Sequence, residues 1–178
     1  MTVSKWTLDN AHSNVDFSLR HMMVSKVKGS FNDFTAEIEA DPNDLTTASL
    51  TFTIDVASID TRNADRDAHL RSGDFFDVEQ FPNLTFTSTN IEKQGGDKYA
   101  VTGDVSLHGV TKPETFIVTF EGVAKDPMSG AEKAGFSVDG TIKRSEYGLT
   151  WNAALETGGV LVGDDVKVSL EIQAAKEA

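Results

Sequence analysis

His12, His21, His69 and His108 are the residues best suited to proton transfer or metal binding, and each stands alone in its own segment. Local metal sites place their ligands a few residues apart, as in H-E-x-x-H, and no such pairing occurs. Ser72-Gly73 lies in no G-x-S-x-G nucleophile elbow, and Gly95-Gly96 reads as a hairpin tip with no following helix to hold phosphate. Without cysteine there is neither thiolate chemistry nor a disulfide. Carboxylates are abundant, so none stands out as half of an acid and base pair. The expectation is a protein with no catalytic residue, no metal site and no cofactor.

What remains is polar residues in apolar company. Val15, Phe17, Leu19, His21 and Met23 alternate with Asp16, Ser18 and Arg20, which is the period of a strand with one buried face. His21 shares that face. Arg144 continues the parity of Ala134, Phe136, Val138, Gly140 and Ile142. Burying either group alone is costly. They either meet a polar head group near an opening, or pair with an internal carboxylate such as Glu146 or Asp16, or lie beyond the strand end.

One stretch, Arg62 to Asp77, reads as neither strand nor turn. Asp65 and Asp67 suit a helix N-terminus, Arg71 suits the other end, and Gly73 supplies a left-handed stop. His69 is either a head-group contact or a cap residue, while Arg66 and Arg71 read as solvated charges. Phe75, Phe76 and Phe81 follow, too many aromatics for a helix of two to three turns to cover. They are expected to dock on the sheet and close one end of it.

Elsewhere the alternation is nearly continuous. Phe31 and Phe34 fall out of phase, which predicts a β-bulge near Asn32-Asp33. Leu50, Phe52, Ile54 and Val56 form one face, as do Leu84 and Phe86, then Val101, Gly103, Val105 and Leu107. Gly109-Val110-Thr111-Lys112-Pro113 reads as a connection to the face of Phe116, Val118, Phe120 and Gly122, and Val166, Val168, Leu170 and Ile172 close the chain. About eight antiparallel strands with short turns predict an all-β domain of 178 residues, a single eight-stranded barrel with one short helix over an end. An immunoglobulin-like sandwich is the competing architecture, with shorter strands and a smaller domain.

A barrel of this size is either filled or holds one ligand. Inward glycines and alanines among eleven phenylalanines favour a lined tunnel, about 30 Å along its axis. A long chain suits that shape, and each buried CH₂ contributes about 0.8 kcal/mol before ordering costs. The net charge of −12 argues against nucleic acid and anionic membrane surfaces. No apolar run is long enough to span a bilayer. Without a leader pattern in Met1-Thr2-Val3-Ser4-Lys5 the expected location is cytoplasmic, or periplasmic if a leader was removed.

These segments together resemble a known family. Trp6-Thr7-Leu8-Asp9 with His12-Ser13, Val15-Asp16-Phe17 with Arg20-His21, Gly29-Ser30-Phe31, Arg66-Asp67 with Leu70, Asp74-Phe75-Phe76-Asp77 with Phe81-Pro82, His108 through Pro113, and Arg144-Ser145 with Tyr147-Gly148 are similar, in order and spacing, to the YceI-like family. The resemblance covers essentially the whole chain. It implies a lipocalin-like barrel whose tunnel binds polyisoprenoid or other amphiphilic lipids, including quinone-like and fatty-chain ligands.

The expected function is non-enzymatic binding, storage or transport of a long-chain amphiphilic lipid, with a homodimer compatible with it. Phe17, Leu19, Met23, Phe31, Phe34, Phe52, Phe86, Val105, Phe120, Phe136 and Val168 would line the tunnel. Phe75, Phe76 and Phe81 would gate it, and His21, His69 and Arg144 would meet the head group. The alternative is an isomerase or cyclase acting on a bound lipid through His21 or His12.

Overall fold

Carboxylates at strand ends shape this molecule. The computed structural model describes residues 3–22, 24–152 and 162–177. The first strand, β1 (Ser4–Leu8), stops at Asp9, whose side chain accepts the Ala11 N–H and caps a 3-10 turn over Asn10–His12. The chain resumes as β2 (Asn14–His21), then β3 (Ser25–Phe31) and β4 (Phe34–Ala40). A second such break follows β5 (Ser49–Asp55), where Asp55 accepts the Ala57 N–H ahead of β6 (Ile59–Asp60). After the helix α1 (Ala64–Arg71) come β7 (Asn83–Gly95), β8 (Lys98–Leu107), β9 (Val110–Lys125), β10 (Glu132–Lys143) and β11 (Asp165–Lys176).

These segments form one closed antiparallel barrel of eight strands, in the order β1-β4-β5-β7-β8-β9-β10-β11, with β1 pairing back onto β11. At the other end β2, β3 and β6 continue β1, β4 and β5 past their breaks, with β2 taking over the pairing to β11. The break between β3 and β4 corrects the expected bulge. Phe31 ends a strand paired with β2 and β6, and Phe34 begins one paired with β1 and β5. Asn32 and Asp33 bridge them, their N–H groups donating to the Ser58 carbonyl and hydroxyl. Among the described residues no helix is long and apolar enough to cross a membrane.

Two turn expectations also change. Only His108 and Gly109, both with positive φ, connect β8 to β9, as a two-residue hairpin loop requires. Val110 to Pro113 already belong to β9, and Pro113 is tolerated because β9 pairs there with β8 alone. The helix, for its part, is stopped by Ser72, with an extended backbone and its N–H donating to the His69 carbonyl, and not by a left-handed Gly73.

The inward glycines do not simply leave room. A Cβ on Gly29 would lie 2.5 Å from the Phe17 ring, one on Gly103 2.6 Å from Phe86, and one on Gly140 2.3 Å from Phe116. Phe17 is the direct cross-strand partner of Gly29. Each ring therefore fills its glycine's side-chain position and packs along the wall, the arrangement by which aromatics compensate glycine in sheets. The lumen stays open because its largest side chains have somewhere beside it to go.

Candidate functional site

Two apolar chambers meet inside the barrel. The inner one, about 200 Å³, is walled by Phe52, Phe86, Val105, Phe116, Phe136 and Ile172 among others. The wider one, about 500 Å³, lies toward α1 and adds Leu19, His21, His69, Phe75, Phe76 and Trp151. Phe17, Phe31, Leu84, Ile142 and Val168 belong to both walls, so the chambers abut at a ring of these five side chains. Below the inner chamber, Trp6, Ala40, Leu45, Ala134 and Ala174 pack as a buried cluster, and the Trp6 indole N–H donates to the Ala40 carbonyl at 3.2 Å.

On its helix side the wide chamber owes its shape to two structural cations. Arg66 and Arg71 are not free solvated charges. Arg66 donates to the Thr61 hydroxyl at 2.8 Å and the Thr61 carbonyl at 2.6 Å, and Arg71 donates to the carbonyls of Ala57 and Ile59 at 2.9 and 3.1 Å. Buried Asp67 accepts the Thr61 N–H and hydroxyl. With Asn63 capping the Arg66 N–H, these bonds seat α1 against the β5 and β6 corner.

Arg144 answers the question its position posed. It sits in a 3-10 turn, Arg144–Tyr147, just beyond β10, and is 7% exposed. It pairs with neither Glu146 nor Asp16. Its guanidinium donates to the carbonyls of Gly163, Leu149, Trp151 and Val162 at 2.6 to 3.1 Å. Arg144 therefore serves first to hold the wall segments around Leu149 and Val162. Burial pushes its pKa below the ordinary arginine value, with the nearby Asp164 charge acting the other way.

Around it the turn is fastened on three sides. Tyr147 is fully buried and donates to Glu114 at 2.8 Å, and burial, that hydrogen bond and the Glu114 charge all push its pKa up. The Tyr147 carbonyl meets His108 Nδ1 at 3.0 Å, and Gly148 ends the turn in the left-handed conformation. Asp164 accepts the Ser145 N–H and hydroxyl, each at 2.9 Å. Burial alone would raise the Asp164 pKa, but these two bonds hold it below the usual carboxylate value.

The sequence-predicted residues divide accordingly. Phe17, Phe31 and Val168 lie in the shared ring; Phe52, Phe86, Val105 and Phe136 line the inner chamber; Leu19, His21, His69, Phe75, Phe76 and Arg144 line the wide one. Three fall elsewhere. Phe34 stacks on Phe52, centroids 5.7 Å apart, behind the chamber surface. Phe81 packs against His108 at 4.9 Å and over Gly109, away from the gate. Phe120 stacks on Phe136 and joins the floor cluster. Met23 lies outside the described residues. His12 bonds Asp9 at 2.9 Å on the exterior and lines neither chamber, which removes it as a candidate for chemistry on a bound molecule.

Trp151 was missed. Its ring lies 4.9 Å from His69 and 5.3 Å from Phe75, while His69 Nε2 meets Asp74 at 2.9 Å. Trp151 follows a left-handed glycine in a segment with no strand period, so nothing local marked it as inward. Among the described residues no three His, Cys, Asp or Glu side chains converge as a metal site would require.

The YceI-like domain profile matches residues 6–174. The chain belongs to the YceI-like family. It is 47% identical over 165 residues to a UPF0312 protein of Staphylococcus aureus (strain USA300), covering 93% of this chain and 94% of that one. Its fold is similar to that of Burkholderia cenocepacia BcnA, with TM-score 0.82, 28% identity, and 93% and 98% of the two chains covered. It also resembles a polyisoprenoid binding domain from Saccharophagus degradans, with TM-score 0.72 at 15% identity, over 99% of this chain and all of that one. For that pair the likeness is one of fold.

Proposed function

We propose that this YceI-like barrel binds a long-chain amphiphilic lipid of polyisoprenoid or quinone-like type, for storage or transport, and leaves it chemically unchanged. The observation that carries the reading is the polarity gradient along the two abutting chambers. The inner one is walled almost wholly by aliphatic and aromatic side chains, and His21, His69, Arg66 and Asn63 occur only around the wide one. An extended hydrocarbon would lie through the ring of Phe17, Phe31, Leu84, Ile142 and Val168, with its polar end beside Trp151. Such a site grips by burial and shape, so the tail is selected by length more than by chemistry. The polyisoprenoid binding domain among the fold neighbours supports the choice of ligand class.

Native mass spectrometry of gently purified protein should reveal a co-purified lipid. Titration with a polyprenol in detergent should change the fluorescence of Trp151, which lines the wide chamber. No bound lipid together with no fluorescence change would overturn the proposal. Recovery of a chemically altered polyprenol, abolished in His21→Ala, would replace it with the isomerase or cyclase reading.

A further inference from the structure

The β2–β3 hairpin has three distinct surfaces. Its inner face, Leu19, His21 and Val27, lines the wide chamber. Its outer face carries Arg20, Lys26 and Lys28, all exposed, with Arg20 directly across from Lys26. None of the three makes an ion pair among the described residues. Among the described residues of its tip, Met22 is 46% and Val24 81% exposed.

The outer charges and the exposed tip do not serve the fold. Like charges facing each other across a strand pair are destabilising. Met22 has a φ of 54°, a conformation that Asn or Gly adopts with less strain than methionine. The hairpin holds three cations against one carboxylate, Asp16, in a protein whose net charge is −12.

We propose that this hairpin is a membrane-docking foot: Met22 and Val24 enter the apolar boundary of an anionic lipid surface while Arg20, Lys26 and Lys28 face its head groups. The negative charge elsewhere orients the approach. Beyond a Debye length of about 10 Å the rest of the molecule is largely screened, and the basic hairpin is the end the surface attracts. Docking there sets the wide chamber beside the bilayer, the geometry that direct exchange of an amphiphile requires. The proposal goes beyond the cargo reading and does not depend on which lipid the barrel holds.

The test is flotation of the full chain with vesicles of phosphatidylcholine alone and of phosphatidylcholine mixed with phosphatidylglycerol. The wild type should float with the mixed vesicles, less so as salt rises, and hardly at all with phosphatidylcholine alone. Met22→Asn with Val24→Asn should weaken binding by about tenfold or more. Asn also suits the left-handed position, so folding is preserved. Neutralising Arg20, Lys26 and Lys28 to Gln should weaken binding by about fivefold per charge. Absence of wild-type flotation, or variants that float as well as wild type, would overturn the foot. So would a tip variant that dissociates a dimer in light scattering while vesicle binding is intact, since the tip would then belong to a second copy. Polyprenol titration in detergent separates the two proposals, because a foot variant should retain it, and a blank titration with intact flotation would sink only the cargo.

Discussion

The two chambers share five side chains and differ in almost everything else. Apart from Leu45 and Ala48, the inner one is walled by strands, most of its side chains placed by the cross-strand register of β5, β7, β8, β9, β10 and β11. The wide one is walled partly by irregular backbone, α1 and the segments around Leu149 and Val162, held by arginines bound to main-chain carbonyls. Regular sheet satisfies its own backbone, so its inner face can be wholly apolar. Irregular backbone cannot, and needs buried donors. The polarity of the wide end thus follows from its construction as well as from any ligand.

The largest effect that separates the chambers should come from Arg144. Arg144→Ala strands the carbonyls of Leu149, Trp151 and Gly163, while Val162 keeps its bond from the Asn152 amide, and a loss of roughly 3 kcal/mol is expected in thermal or denaturant unfolding. Arg144→Lys should recover little, since one ammonium cannot span the same four acceptors. A variant as stable as wild type would show that the clamp is dispensable.

Plugging the ring comes next. Val168→Phe enlarges a side chain common to both walls. Binding of a long polyprenol should fall by about tenfold or more while a short-chain analogue still binds in the wide chamber. Equal losses for both would mean that the chambers act as one space. Gly140→Ala is subtler, because the added methyl displaces Phe116, which lines the inner chamber alone. A destabilisation of about 1 to 3 kcal/mol is expected, with weakened long-chain binding and unchanged response to the short analogue.

The smallest effect concerns acid. The folded Asp164 carboxyl has a pKa held below its ordinary 3.8, so the unfolded chain takes up its proton first. Its contribution is present above that ordinary value and is lost as pH falls through the lower folded one. After solvent screening it amounts to less than about 1 kcal/mol. Asp164→Asn should lower stability slightly at neutral pH and flatten this part of the acid limb in pH-dependent unfolding.

Much of the barrel was legible because a strand announces its faces. Val101, Gly103, Val105 and Leu107 alternate in sequence and are all buried in the structure. The phase slip at Asn32-Asp33 was visible too, but a bulge and a change of strand produce the same slip, and only the pairing partners distinguish them. Phe34 and Phe120 show the limit of parity: each is apolar and inward by alternation, yet each finishes against another aromatic ring off the main walls.

Composition and period-two alternation alone determined an all-β chain with an apolar interior, and the helix, His21 and Arg144 stood out as departures from that rhythm. Tertiary structure decided the rest: that phenylalanines fill the places of glycines on neighbouring strands, that five side chains including Val168 are common to both chamber walls, and that Arg144, just beyond its strand, binds backbone carbonyls. The reason is physical. Alternation is set by each residue's own backbone geometry, whereas the space beside a side chain is set by residues distant in sequence, brought near only by register and closure.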